Sequence, residues 1–338
     1  MNNKIAIYFE RLRHASFHRL QMHIDAVHEE KKLPKFLIFM DMIWCSIRYG
    51  IGYLDYHTFG FAGKSHKKRL TYMTMGHNRK LVRNLNDRDY YYVFDEKLTF
   101  DKTFSAFLGR KFMDLREGGA QGLQDFCVAH DMVFAKVPDK CGGEGIQRIV
   151  LTGETDYEAL AAELMEKRQF LIEEAIVQHD EMNTLCPSSI NTIRIVTVLQ
   201  DDEAKFIYAL VRMSSGTACV DNISSGGMYT RVTEEGKLVS PAFCDKTGQY
   251  YEEHPFTHTA FDGYQIPFFE EAKKMCCRAA VVEPHMRYVG WDVAITPDGP
   301  VFVEGNNLPG YDMCQNYRQN EEGALPLFKE KLGDDIFD

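Results

Sequence analysis

Residues 290–307 constrain the fold of this chain more than any other stretch. They read as two short strands, Gly290-Trp291-Asp292-Val293-Ala294-Ile295 and Val301-Phe302-Val303-Glu304-Gly305-Asn306-Asn307. The turn Thr296-Pro297-Asp298-Gly299-Pro300 joins them. If Ile295 pairs with Val301, then Asp292 lies opposite Glu304. Side chains alternate along a strand, so Glu304 and Asn306 share a face. Directly opposed residues hold their Cβ atoms only about 5 Å apart, where like charges are destabilising. Two carboxylates and an amide oxygen on one face therefore suit a hard cation. Mg²⁺ takes oxygen ligands and keeps waters and substrate phosphates as its others. A surface hairpin with its acids in water gives the same pattern, and periodicity alone leaves both readings open.

A chain of 338 residues can build two or three subdomains around a large core. Its net charge of −10 argues against nucleic acid as the main partner. That charge is uneven: residues 1–80 hold fourteen Lys/Arg against six Asp/Glu. The basic excess reads as a solvated helical face, with an anionic membrane surface or phosphorylated substrate as the lesser reading. Nine scattered Cys with no CxxC pair look like reduced thiols of a cytosolic protein, not a disulfide framework or zinc site. Residues 1–10 lack the apolar core of a signal peptide. The most apolar segment, residues 36–61, carries Asp41, Arg48 and Asp55, which argues against a transmembrane span. A buried helix pair is the favoured reading there, an interfacial helix the lesser one.

Residues 1–95 read as helical, with apolar positions at helical spacing from 33 to 51 and an aromatic junction at 53–61. A helix opens near Phe100 with Asp101 as its N-cap. Strands follow at 132–135, 146–151, 170–172, 192–199, 202–212 and 228–232, with a short one at 237–239. Helices are expected at 156–168 and 267–288, the latter bent at Pro284. This order suggests an α+β protein with at least two sheets.

Four segments bear on chemistry. Phe134-Ala135-Lys136-Val137-Pro138 runs into Cys141-Gly142-Gly143-Glu144-Gly145, a strand-end lysine before a glycine-rich turn. Such a turn lets backbone N–H groups approach phosphates, and lysine adds a point charge. It is neither a Walker loop nor a Rossmann fingerprint, and taken alone a plain Gly-rich hairpin turn is the favoured reading. Phe170-Leu171-Ile172-Glu173-Glu174-Ala175-Ile176 ends a strand in paired acids, which can offer backbone to an adenine edge and carboxylate to a ribose. A strand entering solvent looks the same. In Ser189-Ile190-Asn191-Thr192-Ile193-Arg194-Ile195, the arginine is costly to bury unless paired. Its partner is a phosphate, held bidentately, or a carboxylate in a structural salt bridge. The loops Asp221-Asn222-Ile223-Ser224-Ser225-Gly226-Gly227 and His254-Pro255 are polar and suit a second substrate or simple turns. No nucleophile–His–acid arrangement is readable, and His254, His258 and His285 are candidates by type alone.

In this order the segments resemble the ATP-grasp superfamily, and more narrowly its sugar-transfer-associated family. The resemblance covers residues 95–315, and Asn191-Thr192-Ile193-Arg194 carries the narrower match. It implies an α+β ATP-grasp fold, two α+β lobes clasping ATP, preceded by a helical N-terminal region. The divisions would be residues 1–95, 96–175 with the glycine-rich lid, and 176–338 with the metal site and a helical tail. Lys102 and Lys136 would contact ATP phosphates, and Gly142, Gly143 and Gly145 would form the lid. Glu173 and Glu174 would begin the adenine hinge, with Ala175 and Ile176 offering backbone contacts; the ribose-contacting acid is left unassigned, with Glu181 a candidate only. Arg194 would hold the γ-phosphate or acyl-phosphate, so Arg194 and Lys136 would be catalytic. Asp292, Glu304 and Asn306 would bind Mg²⁺. The implied reaction is ATP-dependent carboxylate–amine ligation through an acyl-phosphate, in polysaccharide or cell-envelope biosynthesis. The alternatives are a phosphotransferase on the same fold, or a non-catalytic nucleotide-binding scaffold of a glycosyltransferase complex. The implied partners are small-molecule carboxylate and amine substrates, with peripheral membrane or glycosyltransferase-complex association through the basic N-terminal region.

Overall fold

The computed structural model describes residues 17–140, 142–216 and 226–337. Two antiparallel sheets organise them. The smaller contains β1 (Phe112–Asp114), β2 (Met132–Lys136), β3 (Ile146–Val150) and β4 (Leu171–Glu174), in the order β1-β4-β2-β3. Alternation along β2 turns Val133 and Ala135 onto the Leu115–Cys127 and Tyr157–Glu166 helices, where they are buried with Leu123, Leu164 and Ile172. Phe134 and Lys136 are thereby left for the opposite face, beside their register partners Glu173 and Leu171.

The larger sheet holds β5 (Thr192–Gln200), β6 (Glu203–Met213), β7 (Met228–Val232), β8 (Ala242–Cys244), β9 (Gln249–Tyr251), β10 (Tyr288–Thr296) and β11 (Gly299–Asn306). Its order is β11-β10-β5-β6-β7-β8-β9. β5 and β10 are buried on both faces, which explains their near-continuous apolar runs. One face packs Ile193, Ile195, Trp291 and Phe302 against Phe94, Phe100, Phe104 and the Phe269–Ala280 helix. The other packs Val196, Val198, Ile207 and Tyr288 against Phe59, Phe61, Leu81 and Leu85 of the N-terminal helices, and against Phe328 of the Leu325–Leu332 helix. The N-terminal helices thus share a core with the large sheet.

Several expectations need correction. The helix around Phe100 spans Lys97–Thr103, and its N-cap is Glu96, whose carboxylate accepts from the Leu98 and Thr99 N–H groups. Asp101 lies inside the helix and is buried. The helix expected at 267–288 stops at Ala280, because Tyr288 already pairs with Val198 in β10 and the Asn86 side chain holds its backbone. Residues 237–239 form only isolated bridges, Val232 with Leu238 and Lys237 with Gln265. The buried helix pair is half right. The Lys35–Tyr49 helix buries Ile38, Met42 and Cys45 but leaves Phe36, Trp44 and Ile47 about half or more exposed.

A buried histidine pair fixes the first described helix. His23 Nδ1 lies 2.9 Å from His57 Nδ1, and the two residues are 0 % and 3 % exposed. Burial, then the charge of the other ring, lowers His23 from 6.5 to about 3; burial lowers His57 to about 4. The unfolded chain takes up these protons near pH 6.5, whereas the folded chain resists until pH 3–4. Stability therefore falls with falling pH in that window, by about 1.4 kcal/mol per pH unit per histidine. Thermal melts between pH 7 and 5 should show this slope, and His23→Asn with His57→Asn should flatten it. An unaltered slope in the double variant would rule the pair out as its source.

Candidate active site

Glu304 and Asn306 meet Asp292 as the hairpin pattern requires, though by a different route. Ile295 pairs with Pro300 and Ala294 with Val301, one residue away from the expected register. A β-bulge at Val303 then restores the Asp292–Glu304 and Gly290–Asn306 pairs. Gly290 sits where the Arg194 side chain crosses the sheet: a Cβ there would lie 3.0 Å from Arg194 Cδ.

Asp292 is fully buried and clasped by two arginines. Arg194 donates from Nε to Oδ1 and from Nη2 to Oδ2 (2.9 Å), and Arg212 Nη2 donates to Oδ2 at 2.8 Å. Asn306 Nδ2 adds a contact to Oδ2 at 3.3 Å. Burial penalises the Asp292 charge, but the two guanidiniums outweigh it and hold the carboxyl below its usual range. Burial, then the Asp292 charge, pushes the neighbouring Glu304 carboxyl up. This geometry bears on two expectations. Arg194 forms the structural salt bridge that the sequence left as an alternative, through Nε and Nη2. Both oxygens of Asp292 are taken by guanidiniums, so it backs the site; Glu304 and Asn306 line the cavity. Among the described residues no group of three His, Cys, Asp or Glu is placed to hold a metal. The Glu304 carboxyl and the Asn306 amide, both lining the cavity, still fit an oxygen-liganded divalent cation.

That cavity, of about 330 Å³, has Lys136, Leu171 and Glu173 of the small sheet on its wall together with Glu304, Asn306 and Asn307 of the hairpin. Lys136 Nζ is held by Glu173 Oε2. Glu173 is 1 % exposed and also accepts from Arg110 Nε at 2.7 Å. Burial alone would raise its pKa, but Arg110 and Lys136 lower it. Burial, then the Glu173 charge, pushes the adjacent Asp101 carboxyl up to about 7. Arg110 also donates to the Phe302 and Val303 carbonyls, tying the small sheet to the bulge of the hairpin.

The hinge acids do not offer carboxylates to a ribose. Glu173 is spent on Lys136 and Arg110. Glu174 is engaged elsewhere, 3.1 Å from His130 Nε2 and accepting from the Lys111 N–H. Ala175 and Ile176 follow as partly buried loop, outside the cavity lining, and Glu181 lies exposed in the Asp180–Leu185 helix. Lys102 misses the cavity too, reaching Glu117 at 3.1 Å on the surface. Five residues on a helix rotate a side chain by about 140°, so Lys97, not Lys102, lines the cavity. Lys140 lines it as well, at the start of the loop that carries Gly142, Gly143 and Gly145. These glycines have φ of 70°, 82° and 74°, the left-handed region that favours glycine. Cys141 lies outside the described residues, as do positions 221–225 of the Asp221–Gly227 loop.

The sequence reading missed Lys97, Lys140, Arg110 and Arg212. The signal for Arg110 was indirect: Glu173 in an apolar strand demanded a cation. Asn191 proves structural, donating to the Met182 and Cys186 carbonyls. The histidines are structural as well. Buried His254 donates from Nε2 to the Ser214 carbonyl, His258 pairs with Glu253, and His285 stacks on Tyr90 at 3.8 Å.

Two α+β sheet units with a cavity between them define an ATP-grasp fold. The chain belongs to the sugar-transfer associated ATP-grasp family, whose sequence profile matches residues 76–330. No curated protein matches it in sequence. Solved structures similar to it include the ATP-grasp ligase PsnB complexed with a phosphomimetic variant of minimal precursor, Mg and ADP. That match has 13% identity and a TM-score of 0.44, over 75% of this chain and 62% of PsnB. D-alanyl-alanine synthetase A from Vibrio cholerae O1 biovar eltor str. N16961 is similar at 9% identity, TM-score 0.43, over 73% and 66% of the two chains. D-cycloserine synthetase DcsG is similar at 14%, TM-score 0.40, over 80% and 76%. The chain spans less than two thirds of the length of the first two.

Proposed function

We propose that this protein is an ADP-forming, ATP-dependent carboxylate–amine ligase. One observation carries the reading: Lys136 on one sheet and Glu304 with Asn306 on the other line a single cavity. This is a cation for phosphates and an oxygen site for their metal, in one place. Glu304 and Asn306 would hold Mg²⁺, with Asp292 behind them. The ion, when bound, neutralises phosphate charge and orients the transferring group.

The chain's own residues then position and shield. Lys136, fixed by Glu173, would hold ATP phosphate, with Lys97 and Lys140 adding positive charge. The loop bearing Gly142, Gly143 and Gly145 would close over the triphosphate and exclude water. A substrate carboxylate oxygen would attack the γ-phosphorus, and the bond to ADP would break. An amine nitrogen would then attack the acyl carbon, expelling phosphate and losing a proton to it or to solvent. Carboxylate is a poor electrophile, and phosphorylation provides the leaving group. The family's association with sugar transfer supports a place in polysaccharide or cell-envelope biosynthesis. The free cysteines support a cytoplasmic, reducing setting.

A phosphate-release screen across carboxylic acids and amines tests this. ADP plus phosphate, dependent on both substrates, is expected. ADP without free phosphate would indicate a phosphotransferase, and AMP would exclude the acyl-phosphate route. Lys136→Ala should weaken ATP binding roughly ten- to a hundredfold, the worth of a charge-assisted contact; unchanged affinity by calorimetry would remove Lys136 from the phosphate site.

A further inference from the structure

The Lys35–Tyr49 helix presents an apolar face to the outside. Phe36, Leu37, Met40, Trp44 and Ile47 are 69 %, 55 %, 47 %, 49 % and 53 % exposed. At 3.6 residues per turn they fall within an arc of about 100°, opposite buried Ile38, Met42 and Cys45. Single exposed apolar side chains are ordinary, but five large ones on one helix face mark a docking surface.

Charge decides what docks there. Three carboxylates near this face are matched: Asp41 with Arg69 at 2.7 Å, Asp25 with Lys35 at 2.8 Å, and Glu30 with Lys31 at 2.9 Å. Among the described residues this leaves Lys32, Arg48, Lys67 and Lys68 against one exposed carboxylate, Glu29, still a cationic surplus on a chain of net charge −10. Lys67 and Lys68 belong to the His66–Arg69 helix, which Tyr49 OH–His66 Nδ1 (2.7 Å) and Asp41–Arg69 bind to the apolar helix. A helix of 15 residues is about 22 Å long, short of the hydrocarbon core of a bilayer. No described helix is long and apolar enough to cross a membrane.

We propose that this face docks on an anionic lipid bilayer. The Lys35–Tyr49 helix lies in the plane of the interface, with Phe36, Met40, Trp44 and Ile47 at the acyl boundary. Lys32, Arg48, Lys67 and Lys68 meet the headgroups. The inference does not rest on the ligase reading.

The chain carries its own probe. It has two tryptophans, and Trp291 is fully buried, so a change in emission on adding vesicles reports Trp44. With vesicles of equal parts phosphatidylcholine and phosphatidylglycerol, the full chain should float with the lipid and its emission should shift to the blue. Salt should weaken the binding, and pure phosphatidylcholine should bind far less. Ile47→Glu with Met40→Glu should reduce flotation at least about tenfold with unchanged melting. Lys67→Ala and Lys68→Ala should each cost about fivefold. Unshifted emission without flotation would overturn the proposal, and so would binding indifferent to phosphatidylglycerol. A concentration-dependent dimer that Ile47→Glu abolishes, with no vesicle binding, would assign the face to a second copy instead.

Discussion

Glu304→Gln should cut magnesium-dependent ATP turnover by roughly two to three orders of magnitude and leave the fold as stable as before, or slightly more so. The two effects separate because of where the charge sits. Glu304 lies beside buried Asp292, and both burial and that neighbour oppose its ionisation. Its folded-state pKa is raised, so the wild-type fold loses stability as pH rises through that value. Glutamine removes this penalty, and the melting temperature of the variant relative to wild type should climb with pH. The same change removes the anionic oxygens that a divalent cation needs. Steady-state ADP release titrated with magnesium, with parallel melts at several pH values, checks both halves. Full turnover in the variant would remove Glu304 from the metal site.

Asp292→Asn should behave in the opposite way, losing roughly 3–5 kcal/mol of stability. Asp292 is the shared counter-ion of Arg194 and Arg212, whose side chains are 8 % and 13 % exposed. Asparagine keeps the shape but withdraws the buried charge that both guanidiniums face, leaving Glu304 as the neighbouring acid. Loss of activity in this variant would therefore say little about metal binding, whereas Glu304→Gln speaks to it directly. Urea unfolding measures the effect. A loss under about 1 kcal/mol would show that the arginines do not depend on this carboxylate.

The cavity's main residues were legible where period-two alternation governs. It placed Glu304 with Asn306 on one face of the hairpin, while Lys136 and Glu173 were marked only as strand-end charges, which the register then sets on one face of the small sheet. It could not show the bulge at Val303, which shifts the turn register by one while preserving the Asp292–Glu304 pair. It also left open whether Arg194 met a phosphate or a carboxylate, because Asp292 is distant in sequence and its buried charge needed a partner only folding could supply. Lys102 was misplaced for a helical reason: the rotation that carries Lys97 into the cavity carries Lys102 out. The N-terminal helices read correctly as helices, yet their docking on the second face of the large sheet rests on nonlocal packing that gathers Phe59, Phe61 and Tyr288 into one core. The acids at 173 and 174 looked like a matched pair, but alternate faces sent them to different partners.

The central claim is that a carboxylate is activated by phosphorylation in the cavity between Lys136 and Glu304. The most direct measurement uses the carboxylic acid found by the phosphate-release screen, labelled with ¹⁸O in its carboxyl group. After turnover with ATP and the amine, the released phosphate should carry one ¹⁸O, handed over when the acyl carbon–oxygen bond breaks. Phosphate free of label would contradict the account.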